Sequence, residues 1–324
     1  MKVEIERAAQ VLRSKGSFFL ATHRQPDGDG LGAMLALAQV LTEMGKRVVV
    51  HAPEPAPRQL GFLPGIQRLC TWGPDGCEVA VILDCGALSR VGPVESELAA
   101  HPLIINIDHH QQGRGEFGHI KLIDSTSPAT GEIVRRLIAT LPWPLSPEVA
   151  LNLYVAVASD TGGFQNDGTD RRAFELAAEL VGHGVRPAEV ARRLFDEYSL
   201  SRLRLLGMAL TGLETLAGGR LALLTISRRL LAEAGAELED TAGLMNQVSA
   251  MAGFEVSALL SETEGGVIDV SLRSRNGLNV ADVAERLGGG GHPNAAGFRQ
   301  AASLEAVRGR LLAELAPLLG GDGL

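Results

Sequence analysis

Phe18-Phe19-Leu20-Ala21-Thr22-His23-Arg24-Gln25-Pro26-Asp27-Gly28-Asp29-Gly30 sets a short apolar run directly against an imidazole and two carboxylates. A run of this length and composition, bounded by turn residues, reads as a buried strand. The pattern recurs. Val79-Ala80-Val81-Ile82-Leu83 runs into Asp84, and Leu103-Ile104-Ile105-Asn106-Ile107 runs into Asp108-His109-His110. In open α/β sheets, ligands bind at the carboxyl ends of the strands. Asp160 adds a carboxylate where the helical apolar stretch before it ends. Acids and imidazoles gathered this way make a metal centre with more ligands than one ion needs, and so point to two ions.

Blander readings exist for each part. Asp27 and Asp29 could cap a helix that starts near Gly30, and Asp84 could be a turn residue. His109 and His110 could form a polar pair in a loop. A calcium loop starting at Asp27 fails, because it would need an oxygen ligand at Leu31 and a glutamate at Ala38. No single bland reading covers all the positions together.

At 324 residues, the chain is long enough for two domains with cores of their own. Its 45% hydrophobic and 21% charged residues are ordinary for a soluble protein. No apolar stretch approaches the roughly 18–20 residues of a membrane span. The charged start, Met1-Lys2-Val3-Glu4, lacks a signal-peptide core, and Cys70, Cys77 and Cys85 are an odd, unpaired set. A cytoplasmic protein with free thiols is expected. A net charge of −8 argues against a long duplex as substrate and fits a small anionic one.

Strands are expected at 17–22, 47–51, 79–84, 103–108 and 119–123, with helices at 3–15, 30–44 and near 93–100. This alternation predicts an α/β fold: a doubly wound, mostly parallel sheet with helices on both faces. The segment 52–78, rich in Pro and Gly, reads as loop. Helices follow at 129–140, 147–159, 171–182, 187–197 and 201–216. A smaller α/β domain comes next: strands 220–226, 255–262, 266–274 and 295–299, and helices 228–234, 240–251, 279–287 and 303–319. The expected organisation is a catalytic domain over 1–186, a helical linker over 187–212 and a substrate domain over 213–324, with a cleft between the two domains.

Mixed imidazole and carboxylate ligands suit Mn²⁺, with Mg²⁺ and Co²⁺ as alternatives, better than structural zinc. Two ions about 3.5–4 Å apart clamp a phosphate and lower the pKa of bound water. One carboxylate must then bridge, and Asp84, alone at its strand end, is the natural candidate. The chain has no Gly-x-Ser-x-Gly elbow and no Lys-containing phosphate loop.

Four motifs, in order, carry a resemblance: His23-x-x-Pro26-Asp27-x-Asp29, Asp84 in Leu-Asp-Cys-Gly-Ala-Leu-Ser-Arg-Val-Gly, Asp108-His109-His110, and Ser159-Asp160-Thr161-Gly162. Ser271-Leu272-Arg273-Ser274 and Gly288-Gly289-Gly290-Gly291-His292-Pro293 extend it. The chain resembles the DHH phosphoesterase superfamily with its DHH-associated domain, in the branch of nanoRNases and pAp phosphatases. The resemblance implies a two-metal hydrolase of very short single-stranded oligoribonucleotides and of 3′-phosphoadenosine 5′-phosphate (pAp), and leaves a homodimer open. It implies that His23, Asp27 and Asp84 hold one ion and that Asp29, Asp84, His109 and Asp160 hold the other. His110 would donate to the substrate phosphate, with Asp108 orienting the imidazoles. The branch often has an arginine and an aromatic after Phe164; here Gln165-Asn166 stand there.

The tetraglycine segment reads as a loop whose backbone approaches an anion. With His292 behind it and Arg273 on a nearby strand, Gly290, Gly291, His292 and Arg273 form the expected phosphate-gripping edge; Arg275 is equally well an exposed surface residue. The alternatives are a cyclic-dinucleotide phosphodiesterase, an inorganic pyrophosphatase and a sensor without turnover. The pyrophosphatase is disfavoured because the chain lacks a Ser-Arg-Lys-Lys type run.

Overall fold

A computed structural model describes residues 1–110, 117–166, 168–241 and 243–320. The chain divides into two compact units, Met1–Glu197 and Tyr198–Leu324. The first unit holds strands β1 (Ser17–Ala21), β2 (Arg47–His51), β3 (Leu69–Cys70), β4 (Val79–Leu83), β5 (Ile104–Asp108) and β6 (Ile120–Ile123). They form one sheet in the order β3-β2-β1-β4-β5-β6, every pair parallel. The short β3 lies inside the segment expected to be loop. Two residues between a short 3-10 helix and coil leave no periodicity to read.

Helices α1 (Lys2–Ser14), α2 (Gly28–Glu43), α3 (Glu95–Ala99), α4 (Thr130–Ile138), α5 (Pro147–Asp160), α6 (Arg171–Gly182) and α7 (Pro187–Ala191) complete this unit, with a π-helical turn at Arg192–Asp196. Strand alternation divides the core between the two faces of the sheet. Phe18, Leu20, Val81, Leu83 and Ile105 pack with α1, α2, α4 and α5. Phe19, Ala21, Ala80 and Ile82 pack with Val91, Val94 and Leu98 on the other side. Both faces are therefore covered, as parallel sheets require. Neighbouring β1 and β4 lead outward in opposite directions, so their carboxyl ends border the switch point of the sheet.

Two glycines of α2 let it lie almost against α5. A Cβ on Gly32 would fall 2.5 Å from the Asn152 carbonyl oxygen, and one on Gly28 2.5 Å from Ser159 Cβ. This close approach brings Asp29 at the start of α2 towards Asp160 at the end of α5.

The second unit contains α8 (Leu200–Thr211), β7 (Glu214–Leu216), β8 (Leu221–Ile226), α9 (Arg228–Ala234), α10 (Leu244–Ala250), β9 (Val256–Glu262), β10 (Val267–Ser274), α11 (Ala281–Arg286), β11 (Gly290–His292), β12 (Ala295–Ala301) and α12 (Leu304–Leu315). Its mixed sheet runs β11-β12-β10-β9-β8-β7, with only β8 and β9 parallel among the paired strands. The helix expected over 201–216 stops at Thr211, and its last residues form β7 against β8. Segment 187–212 contributes α7 and the π-turn to the first unit and α8 to the second.

The tetraglycine segment is loop only in its first half, Gly288 and Gly289. Gly290–His292 is an edge strand whose residues pair with Gly297, Ala296 and Ala295. The glycines serve close backbone packing. A Cβ on Gly291, whose φ is +145°, would meet the Ala295 carbonyl oxygen at 2.5 Å.

Candidate metal centre

Five strand and helix ends assemble the site: the turn after β1 supplies His23, the start of α2 Asp27 and Asp29, the end of β4 Asp84, and the end of β5 Asp108, His109 and His110. The end of α5 adds Asp160. Asp84 is buried and sits at φ +57°, in the left-handed region that an aspartate tolerates better than most residues. Its two oxygens face two ways. Oδ2 lies 3.5 Å from His23 Nε2, and Oδ1 lies 3.7 Å from His109 Nε2.

Ligand atoms of His23, Asp27 and Asp84 all lie within 4.8 Å of one another, as do those of Asp29, His109 and Asp160. His109 Nε2 stands 3.7 Å from Asp29 Oδ2 and 3.4 Å from Asp160 Oδ2. Asp84, His109 and His110 form a third such group. His110 is therefore closer to the cluster than a purely substrate-facing side chain would be. Its Nδ1–H donates to Asp108 Oδ1 at 2.7 Å and lies 3.5 Å from Asp84 Oδ1. Among the described residues, Asp108 orients His110 in this way.

The imidazoles are set by backbone carbonyls. His23 Nδ1–H donates to Arg24 O at 2.7 Å, and His109 Nδ1–H to Ser127 O at 3.3 Å. Each Nε2 thereby points into the cluster, the orientation common for metal-ligating histidines.

Asp27 does cap α2, accepting from the N–H groups of Asp29 and Gly30 at 3.1 and 3.0 Å. Capping and its place in the cluster are compatible. Asp29 instead caps a distant helix. Its carboxylate accepts from Thr130 N at 2.7 Å and Gly131 N at 2.9 Å, at the start of α4. The Thr130 hydroxyl donates to Asp84 Oδ1 at 3.0 Å. The sequence reading passed over Thr130. One signal was there: α4 begins after Ala129, which offers no side-chain cap, so its free N–H groups had to find an acceptor elsewhere.

Crowded charge distorts the titration of the cluster. Burial, then the charges of Asp84, Asp160 and Asp27, push Asp29 well above the usual carboxylate range. Burial and neighbouring carboxylates raise Asp160 to about 6, against the pull of His109. Burial works against the charge on His23, but hydrogen bonds to Asp27 and Asp84 outweigh it and carry the ring to about 10. Burial likewise opposes the charge on Asp84, and the histidines around it still hold its carboxyl low. A cluster that retains protons against so many carboxylates lacks positive charge, and its N and O donors suit divalent cations.

Asn166, in the place where the resemblance expects a different residue, donates from its side-chain amide to the Asp160 carbonyl at 3.0 Å. It fastens the turn that carries Asp160.

In the second unit, Arg273 pairs across the sheet with Ala295, which pairs with His292. Directly opposed residues point to the same face, so Arg273 and His292 share one row with a small alanine between them. Gly290 and Gly291 line the same edge strand. Arg273 Nη1 donates to Leu272 O at 2.9 Å, and burial lowers its pKa.

Fold and site together define a doubly wound α/β protein with acid and imidazole groups at its switch point that could hold metal. Residues 17–157 match the DHH family, N-terminal domain, and residues 219–316 match the DHHA1 domain. The chain belongs to the DHH family. It is 36% identical over 297 residues to the bifunctional oligoribonuclease and PAP phosphatase NrnA of Thermus thermophilus, covering 89% of this chain and 86% of that one. The crystal structure of an exopolyphosphatase-related protein from Bacteroides fragilis superposes with a TM-score of 0.90 and 27% identity, over 98% of each chain. The exonuclease RecJ bound to manganese gives a TM-score of 0.58 at 16% identity, over 98% of this chain and 94% of that one, a likeness of fold alone.

Proposed function

We propose that this chain is a metal-dependent phosphoesterase that hydrolyses very short oligoribonucleotides to nucleoside monophosphates and pAp to AMP, with two divalent cations, manganese foremost. The observation that carries this reading is Asp84, whose two oxygens face separate ligand groups. A carboxylate so placed is suited to join two cations. The relative from Thermus thermophilus, named for both activities, supports the choice of substrates.

His23, Asp27 and Asp84 would hold one cation, and Asp29, Asp84, His109 and Asp160 the other. When bound, the cations supply Lewis acidity and a water of lowered pKa. The protein's own groups do the rest. Asp108 holds His110 by its Nδ1–H, orienting the ring as a donor to a nonbridging phosphate oxygen. Arg273 and His292, in one row beside the glycine edge strand, grip the terminal nucleotide's phosphate. A guanidinium suits this role because it can donate two parallel hydrogen bonds to a phosphate.

Purified protein with Mn²⁺ should convert dinucleotides, short oligoribonucleotides and pAp to mononucleotides, and Asp84→Ala should lose at least about 10³-fold in rate, as expected when a bridging metal ligand is lost. Failure of the wild-type protein to turn over any of the three substrates would overturn the reading.

A further inference from the structure

Two arginines stand at the edge of the metal centre with no carboxylate partner among the described residues. Arg90 Nη2 lies 3.2 Å from His23 Nδ1. That ring nitrogen is already engaged with Arg24 O at 2.7 Å, so it is a poor acceptor for a guanidinium. Arg24 and Arg90 are joined through their backbones, Arg24 N donating to Arg90 O at 2.7 Å. Both side chains are exposed. Elsewhere in the chain many arginines pair with acids, such as Arg136 with Asp124 and Glu132, Arg220 with Glu255 and Arg308 with Glu214.

A guanidinium is permanently charged and carries five donors that need acceptors. Beside a buried carboxylate cluster, a pairing with one of those acids would be expected to form. Here the acids are occupied by imidazoles and by the backbone N–H groups of α4. The donors of Arg90 are thus available to an incoming anion.

We propose that Arg90, with Arg24 beside it, is a subsite for the nonbridging oxygens of the phosphate that the metal centre hydrolyses. The inference rests on the phosphoesterase reading and deepens it. Arg90 approaches the phosphate from the His23 side, and Arg24 adds charge at the same edge. In phosphoryl transfer, negative charge spreads over the equatorial oxygens, and an arginine placed there stabilises it.

The test compares wild type, Arg90→Gln, Arg90→Lys and Arg24→Gln in three measurements. These are manganese content, calorimetric binding of inorganic phosphate to the manganese-loaded protein, and kcat/KM on pAp. Arg90→Gln should bind manganese as wild type does, weaken phosphate binding about 10-fold or more, and lower kcat/KM about 10- to 100-fold. Arg90→Lys should recover only part of either loss, because lysine lacks the planar fork. Arg24→Gln should show the smaller effect.

Wild-type phosphate affinity in Arg90→Gln would overturn the proposal. So would a loss of manganese, which would make Arg90 a support for His23. If wild type turns over no nucleotide, the phosphoesterase reading falls by itself, and phosphate binding to the loaded protein still decides the arginine subsite.

Discussion

Thr130 shows how one hydroxyl can shape the centre. It is buried and donates to the Asp84 oxygen that faces His109, while its backbone N–H holds Asp29. Replacing the hydroxyl by a methyl leaves that carboxylate oxygen short of a donor in a site that water does not easily reach. Thr130→Val should weaken divalent cation binding about 10- to 100-fold, as loss of a partner behind a metal ligand commonly does, and calorimetry with Mn²⁺ would measure it. Unchanged affinity would show that the hydroxyl is irrelevant to the site. The titrating groups give a second expectation. His23, raised to about 10, keeps its proton at neutral pH, and a cation must displace that proton to reach Nε2. Binding at pH 7.5 should therefore release protons, that of His23 among them, visible as buffer-dependent heats. Asp160, raised to about 6, adds a second competing proton below that pH. Affinity should rise with pH through neutrality and fall more steeply below pH 6. In the metal-free protein the same raised His23 pKa stabilises the fold fully below its unfolded value near 6.5, and that contribution is lost as pH climbs through 10.

At the scale of elements, the switch point between β1 and β4 explains why the ligands meet. Parallel strands deliver their last residues to one edge, and α2 and α5 close on each other through glycine contacts until Asp29 and Asp160 share His109. The edge strand Gly290–His292 obeys a similar constraint in the second unit. Gly291→Ala would place a Cβ 2.5 Å from a carbonyl oxygen at a φ of +145°. It should destabilise this hairpin by about 1–3 kcal/mol, measurable by urea unfolding, and displace His292 from the row it shares with Arg273. A stability equal to wild type would show that β11 is not packed as described. The strand is not legible in the sequence because a run of glycines carries neither side-chain alternation nor β propensity; the ladder with β12 is a tertiary fact.

Across the whole molecule, each unit has cores of its own, and among the described residues the three groups that could hold metal lie before Glu197. A fragment spanning Met1–Glu197 should fold and bind Mn²⁺ with an affinity near that of the full chain, yet lose hydrolysis of short oligoribonucleotides, because Arg273 and His292 are missing. Full activity in the fragment would remove the second unit from substrate binding. Among the described residues no helix is long and apolar enough to cross a membrane.

The residue types and the strand ends that carry them were legible from the sequence alone, because a buried parallel strand must be apolar throughout and the first polar residue after it is conspicuous. Most helices and strands followed for the same reason, their periodicity being local. Asp27 finds its capping partners locally, but the partners of Asp29 and Asp84 were decided only by the fold. Thr130 lies 46 residues from Asp84 and 101 from Asp29, and hydrogen bonds over such separations leave no mark on local pattern. Arg90 stands inside the motif that carries Asp84, but its place against His23 is set only where the chain returns it there.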